Sequence, residues 1–575
     1  MRNPVLRKRI KSLLHIFGLL SIAWSFFYFI RLLVNPELRR QEKEGKDLEK
    51  AKQQRFAEYK NAHGGILKHN LNLTNTNLRK VLISSIGFPE IEIELGLIKG
   101  FELAGFEPVV LIMDEDELLR QYYDLAGIKH VFRYREASEK SEFLAVAETV
   151  VRDARSVDDL LNFEYCNARV GRFAVATMLR RLRLGSLEFN SEQIREPLVK
   201  HLVTSMAFAR SAQEILHQVK PDLAMFVDGV YTPEGELFDN CLAYGIEAIS
   251  WDIGHKNNSI MFKRYSYDIR NDHPWSISNE TWELLKNLDW TEAHTKELNQ
   301  EFYNGYASGS WYSANGTQFN KRFMNPDEIK EKIGLNPSKK TAIVFPHILW
   351  DAPIFHGENL FESYKEWFIE TVRMACQNEQ VNWVIKIHPA HVGKGTVEGF
   401  HGEPAEVIAL REVFGLLPAH IFLLPAHYDI STLSLFPIMD YCLTVRGTVG
   451  IEAARMGVPV LTGGSGRYSH KGFTIDSQTK EQYFTRLSSI QNIPPLTQKQ
   501  KELADRFAYG TFMLRPLPLT SMNFEYHQNI GLENRFNQNR INIKTKEEWY
   551  SAPDLGAFAQ WVKNKGQPDF LMPIE

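Results

Sequence analysis

Thr448 and Glu452 are the first residues whose types and spacing suggest chemistry. They sit in Arg446-Gly-Thr-Val-Gly-Ile-Glu452, and four residues of separation put a hydroxyl and a carboxylate on one face of a helix. The preceding Tyr441 to Val445 is apolar enough to be covered on both faces, as a parallel strand requires. Gly447 allows a sharp turn and Thr448 is a good N-cap for a helix from Val449. Gly457 and Pro459 end that helix, so Val460 starts the next strand. A helix opening at the carboxyl end of a parallel strand aims its free N–H groups and dipole at a phosphate. One ligand could then place phosphate near Thr448 and ribose hydroxyls near Glu452. Taken alone, the pair is equally an ordinary cap and a solvated acid.

Other residues at strand ends converge on the same place. Thr341 to Phe345, Trp383 to Ile387 and His420 to Leu424 read as further strands. A loop with Asp351 follows the first of these, and Lys386-Ile-His388-Pro389 closes the second. Beyond Val460 runs a glycine-rich loop, Gly463 to Thr474, with Arg467, His470 and Lys471. Cations, an imidazole and a helix N-terminus facing one cleft suit a nucleotide mono- or diphosphate. They would also stabilise phosphate as a leaving group without a metal.

These groups need a scaffold, and the chain is long enough for two large units. It has 575 residues, of which 44% are hydrophobic and 24% charged, an ordinary globular balance. A net charge of −3 offers no case for nucleic acid. Four scattered cysteines without metal-ligand spacing read as buried thiols. Residues 1–35 read as a membrane anchor, because Leu13 to Ile30 holds no charged residue. Residues 36–77 read as a charged, solvated stalk and a linker. A first Rossmann-like unit spans 78–336, with strands at Lys80 to Ile86, Pro108 to Met113, His130 to Tyr134, Pro221 to Val227 and Ile246 to Trp251. A helical insertion interrupts it over 138–218. A second Rossmann-like unit covers 337–492, and 493–575 is a tail that packs back on both. Strands alternating with helices predict an α/β protein of two doubly wound units facing a cleft.

With these motifs in view, the chain resembles the GT-B glycosyltransferases, and within them the capsule polysaccharide biosynthesis enzymes related to Kdo- and sialic-acid transferases. The resemblance rests on Phe345 to Asp351, Ile385 to Pro389, Arg446 to Pro459 and Gly466 to Thr474, which cover most of the second unit. It implies a nucleotide-sugar donor held by Asp351, Lys386, His388, Gly447, Thr448, Gly450, Glu452, Arg467, His470 and Lys471, with no cofactor. His388 and Thr448 would lie near the phosphate and Glu452 at the ribose. It implies inverting, metal-independent transfer to a surface polysaccharide or glycolipid acceptor across the cleft. The base that deprotonates the acceptor should come from the first unit. Asp228 is the first choice and His255 a further one, with Glu234 and Asp252 beside them. A UDP-sugar 2-epimerase-like isomerase or an inactive assembly scaffold are the alternatives. The anchor would hold the enzyme at the cytoplasmic face of a bacterial inner membrane. In a eukaryote the Golgi lumen is the expectation, with glycosylation tripeptides at Asn72, Asn257, Asn279 and Asn315.

Overall fold

The computed structural model describes residues 36–574, apart from 67–77, 86, 114–116, 135–139, 189–190, 228, 310, 313–320, 393–401 and 525–538. The first unit is built on β1 (Arg79–Ser84), β2 (Phe106–Ile112), β3 (His130–Arg133), β4 (Leu223–Phe226), β5 (Glu247–Ile253) and β6 (Ser259–Tyr265). The second is built on β7 (Lys340–Val344), β8 (Val381–Lys386), β9 (Ile421–Leu424), β10 (Tyr441–Thr444), β11 (Val460–Thr462) and β12 (Ile475–Asp476). Its order, β12-β11-β10-β7-β8-β9, is parallel throughout. In the first sheet β3-β2-β1-β4-β5 are parallel. Both sheets therefore reverse direction of growth beside their first strand, at β1–β4 and β7–β10. Such switch points open a crevice at the carboxyl ends of the strands.

The five strands expected in the first unit are all present. Two more extend its edge: β6 pairs antiparallel with β5, and β13 (Leu517–Pro518), from the tail, pairs with β6. In the second unit β12 adds a sixth strand, two residues long and too short for a periodic signal. The insertion comprises helices Lys140–Asp153, Val157–Leu161, Val170–Leu182 and Glu192–Val219.

The tail closes both units. Helix Gln498–Tyr509 puts Phe507 edge-on to Trp282 in the core beneath β7 and β10. Helix Pro553–Lys563 lays Phe558 against Phe101, ring centroids 5.0 Å apart, over Gly100, where a Cβ would meet Phe558 at 2.6 Å. Asp569 then pairs with the fully buried Lys263 at 3.2 Å and lies 3.8 Å from Arg515.

The expected solvated stalk is corrected in part. A helix spans Pro36–His63, but its last turns are docked: Arg55 is bidentate to the buried Glu92 at 2.8 and 2.7 Å, and Tyr59 is fully buried. Arg55, Tyr59 and His63 recur every fourth residue and form one stripe. The stripe is made of a cation, a phenol and an imidazole, so it carries no apolar signature. The anchor reading of 1–35 lies outside the described residues, among which no helix is long and apolar enough to cross a membrane.

Candidate functional site

A cleft of about 450 Å³ lies at the strand ends between the two units. The second unit lines it in three layers: His347 and Asp351 after β7, Lys386 at the end of β8 with His388 just beyond, and Arg446, Gly447, Thr448 and Glu452 after β10. Arg467 closes this side from the loop after β11. The first unit contributes Tyr231, after β4, and Asp252, near the end of β5. The connection between the units adds His273, Trp275, Tyr306 and Tyr312.

Thr448 does not cap its helix with its side chain; its backbone is already helical (φ −57°, ψ −27°), and its hydroxyl sits at the cleft wall against Glu452 and Tyr312. Gly447 is not in the left-handed region either. A Cβ there would press on Thr444 Oγ1 at 3.0 Å. Gly450 lies away from the cleft, and its role is packing. A Cβ would stand 2.2 Å from the Tyr468 hydroxyl, which donates to Gly447 O at 2.8 Å.

Glu452 is no solvated acid. It is buried and accepts a hydrogen bond from Tyr306, and burial pushes its carboxyl up to about 7. Lys386 is also buried, and burial with the nearby Lys321 pushes its amine down to about 7. Its ammonium donates to Ile387 O at 3.2 Å, and His388 Nδ1 accepts from Ala390 N–H at 3.2 Å.

Two guanidiniums dominate the charge. Arg446 donates to Phe355 O and Asn359 Oδ1, and its backbone N–H donates to His347 Nε2 at 3.1 Å. Arg467 donates to His273 Nε2 at 2.9 Å, with its guanidinium 5.8 Å from the Trp275 ring. Burial, reinforced by these arginines, holds His273 and His347 well below the usual histidine range and His356 at about 3. The imidazoles are therefore neutral near pH 7 and leave the positive charge to the arginines. Each arginine keeps a buried Nε without a hydrogen-bond partner. Among the described residues no cluster of His, Cys, Asp and Glu could hold a metal ion.

On the facing wall, Asp252 Oδ2 accepts from Trp275 Nε1 and Oδ1 from Ile253 N–H, each at 2.8 Å. Tyr231 ties the units together: its hydroxyl donates to Asp351 Oδ1 at 3.2 Å and accepts from Ala352 N–H at 2.9 Å.

Several expected site residues lie elsewhere. His255 is fully buried between the rings of Trp311 and Phe512, 4.8 and 4.9 Å away, and does not line the cleft. Burial pushes it down to about 4, as a core histidine. Glu234 accepts from Ser84 Oγ at 2.8 Å, off the cleft. His470 is exposed and off the cleft, with a left-handed φ of +60°, and Lys471 donates to Asn279 Oδ1 at 3.1 Å beside a separate cavity. The loop thus delivers only Arg467 to the cleft. Asp228 lies outside the described residues. The main omissions from the sequence reading are Arg446, His347, Trp275 and Tyr306. Arg446 stands directly between a buried strand and its glycine turn, a usable signal. Trp275 and Tyr306 belong to a connection with no periodic pattern.

No family model matches this chain, and a search of curated proteins finds no match. Distant structural likenesses include Thermosulfurimonas dismutans KpsC, a beta Kdo 2,4 transferase, at 12% identity, covering 52% of this chain and 82% of that one, with a TM-score of 0.34. S. aureus MnaA in a UDP co-structure has 12% identity over 76% and 94% of the two chains, with a TM-score of 0.28. A UDP-GlcNAc 2-epimerase from Neisseria meningitidis has 11% identity over 74% and 97%, with a TM-score of 0.25. At these values the likenesses carry no weight for what the cleft does, which rests on the residues that line it.

Proposed function

We propose that the protein is a GT-B-type glycosyltransferase that moves a sugar, hexosyl or Kdo/sialyl-type, from a nucleotide-sugar to a surface polysaccharide or glycolipid acceptor with inversion. One observation carries this reading. Arg446, Arg467, Lys386, His388, Thr448 and Glu452 line a single hollow at the second sheet's switch point, facing the Asp252 carboxylate of the first unit. The two guanidiniums are suited to the donor phosphate. Thr448 offers it a hydroxyl, and Glu452 accepts from the ribose.

In the transfer step, Asp252 takes the proton of an acceptor hydroxyl. That oxygen bonds to the anomeric carbon as the bond from that carbon to the phosphate oxygen breaks. The electron pair leaves on the nucleotide phosphate, which the arginines stabilise as charge develops. Trp275 Nε1 and Ile253 N–H hold the Asp252 carboxylate in place.

The test is incubation with CMP-, UDP-, GDP- and dTDP-sugars, with and without glycan or lipid acceptor. Nucleotide release that depends on acceptor supports transfer. A nucleotide-sugar isomerised without acceptor supports an epimerase instead. Absence of binding and turnover with every donor leaves a scaffold.

A further inference from the structure

The loop that follows β7, residues 346–359, belongs to the second unit but is fastened in the first. Phe355 is 3% exposed and packs in the core of the helical insertion. Its ring stacks on Phe173 of helix Val170–Leu182, with centroids 5.6 Å and planes 12° apart. The Arg169 guanidinium lies 5.6 Å from both rings. It is itself bidentate to the buried Asp239, at 2.8 and 2.7 Å, on helix Glu234–Ala243. Gly235 of that helix leaves room for the Phe173 ring, since a Cβ there would meet it at 2.4 Å. Arg172 adds a bond to Ile354 O at 3.4 Å. Further on, the loop returns to its own unit: Glu358 N–H donates to Ser465 Oγ at 2.8 Å and Ser465 N–H to Glu358 O at 2.7 Å.

The same loop holds Arg446. Its guanidinium donates to Phe355 O and Asn359 Oδ1, and both acceptors are neutral, so they orient the cation without cancelling its charge. The fork is planar and rigid, so where it points follows from where those two oxygens stand. A cation already held in place binds a phosphate more tightly than one that must be ordered on binding. Neither Phe173 nor Phe355 lines the cleft, although His356, next along the chain, does.

We infer that the helical insertion positions the donor-phosphate arginine: Phe173, through its stack on Phe355, sets the Phe355 carbonyl that aims Arg446 into the cleft. Phe173 and Phe355 are thus positioning residues, and the donor site is built by both units rather than by the second alone. The inference rests on the transferase reading, in which Arg446 faces the donor phosphate, and adds which part of the fold governs that contact.

The test is calorimetric titration of the full chain with UDP, CMP and inorganic pyrophosphate, alongside melting temperatures. F173L removes the stacked ring and G235A displaces it; each weakens binding by about threefold to tenfold. G235A serves should F173L fail to fold. F143L is the control: Phe143 lies in the same buried core but packs edge-on to Tyr165, so its loss lowers the melting temperature and leaves affinity unchanged. In an R446M background F173L causes no further loss, because the group it positions is gone. Unchanged affinity in F173L and G235A, an equal loss in F143L, or an undiminished further loss in the R446M background overturns the inference. Binding of UDP or CMP that ignores Phe173 keeps the transferase reading and removes only the positioning. Pyrophosphate binding that depends on Phe173, with UDP and CMP unbound, sinks the transferase reading and leaves the positioning standing. No binding of any of the three overturns both.

Discussion

Replacing Glu452 by Gln should stabilise the protein at alkaline pH and leave it nearly unchanged in acid. Glu452 is 2% exposed, and its carboxyl rises from the ordinary 4.5 to about 7, mainly through burial. Between those values the folded chain holds a proton that the unfolded chain has released. The stability this group contributes is therefore fully present below about 4.5 and lost as pH rises through about 7. At about 1.36 kcal/mol per pH unit, the difference between 4.5 and about 7 amounts to about 3 kcal/mol at alkaline pH. The substituted amide keeps the shape and the oxygen that accepts from Tyr306, and never ionises. Urea midpoints at pH 3.5 and pH 8.5 check this: the variant's midpoint should exceed wild type only at pH 8.5. A shift of equal size at both pH values would show that charge is not what the site resists. Retention of a destabilising acid in a cleft wall is the expected mark of a ligand-binding group.

Four further outcomes follow from the same geometry. Asp252→Asn should leave nucleotide affinity intact and lower turnover by about 100-fold or more; full turnover in a donor–acceptor assay would transfer the base role to Asp228. Arg446→Met and Arg467→Met should each weaken UDP or CMP binding by about tenfold or more, measured by calorimetry, since a charge-assisted bond contributes about 1.5–3 kcal/mol. Gly450→Ala should lower the melting temperature, because its Cβ would fall 2.2 Å from the Tyr468 hydroxyl, an overpacking cost of about 1–3 kcal/mol. Asp569→Asn should destabilise by about 3–5 kcal/mol in denaturant titration, since it leaves Lys263 and Arg515 buried beside a neutral amide.

The second unit was the most legible part of the chain. Its strands are short apolar runs bounded by Gly and Pro, and the backbone chemistry of those residues acts locally. Thr341 to Phe345, Trp383 to Ile387 and Tyr441 to Val445 therefore announced themselves, and with them the positions of Lys386, His388, Thr448 and Glu452. Strand-end placement is a property of sequence order in a parallel sheet, so these residues converge without any knowledge of packing. The Arg467 loop was half legible. Its position beyond a strand was readable, but which of Arg467, His470 and Lys471 faced inward was not. Packing settled that: Arg467 lines the cleft, Lys471 meets Asn279 and His470 is exposed.

What the sequence by itself determined, then, is the pair of α/β units and the ring of strand-end residues on the second unit's side of the cleft. Only the tertiary structure decided the rest. Tyr306 meets Glu452 across 146 residues of chain, and Lys263 meets Asp569 across 306. Such pairs leave no spacing to read. His255 follows a strand as a catalytic residue might, yet it is spent on Trp311 and Phe512 in the core. Secondary structure follows from neighbours along the chain, whereas burial and charge at a site follow from neighbours in space. Those spatial neighbours raise the Glu452 carboxyl, lower the Lys386 amine and set Asp252 opposite two arginines.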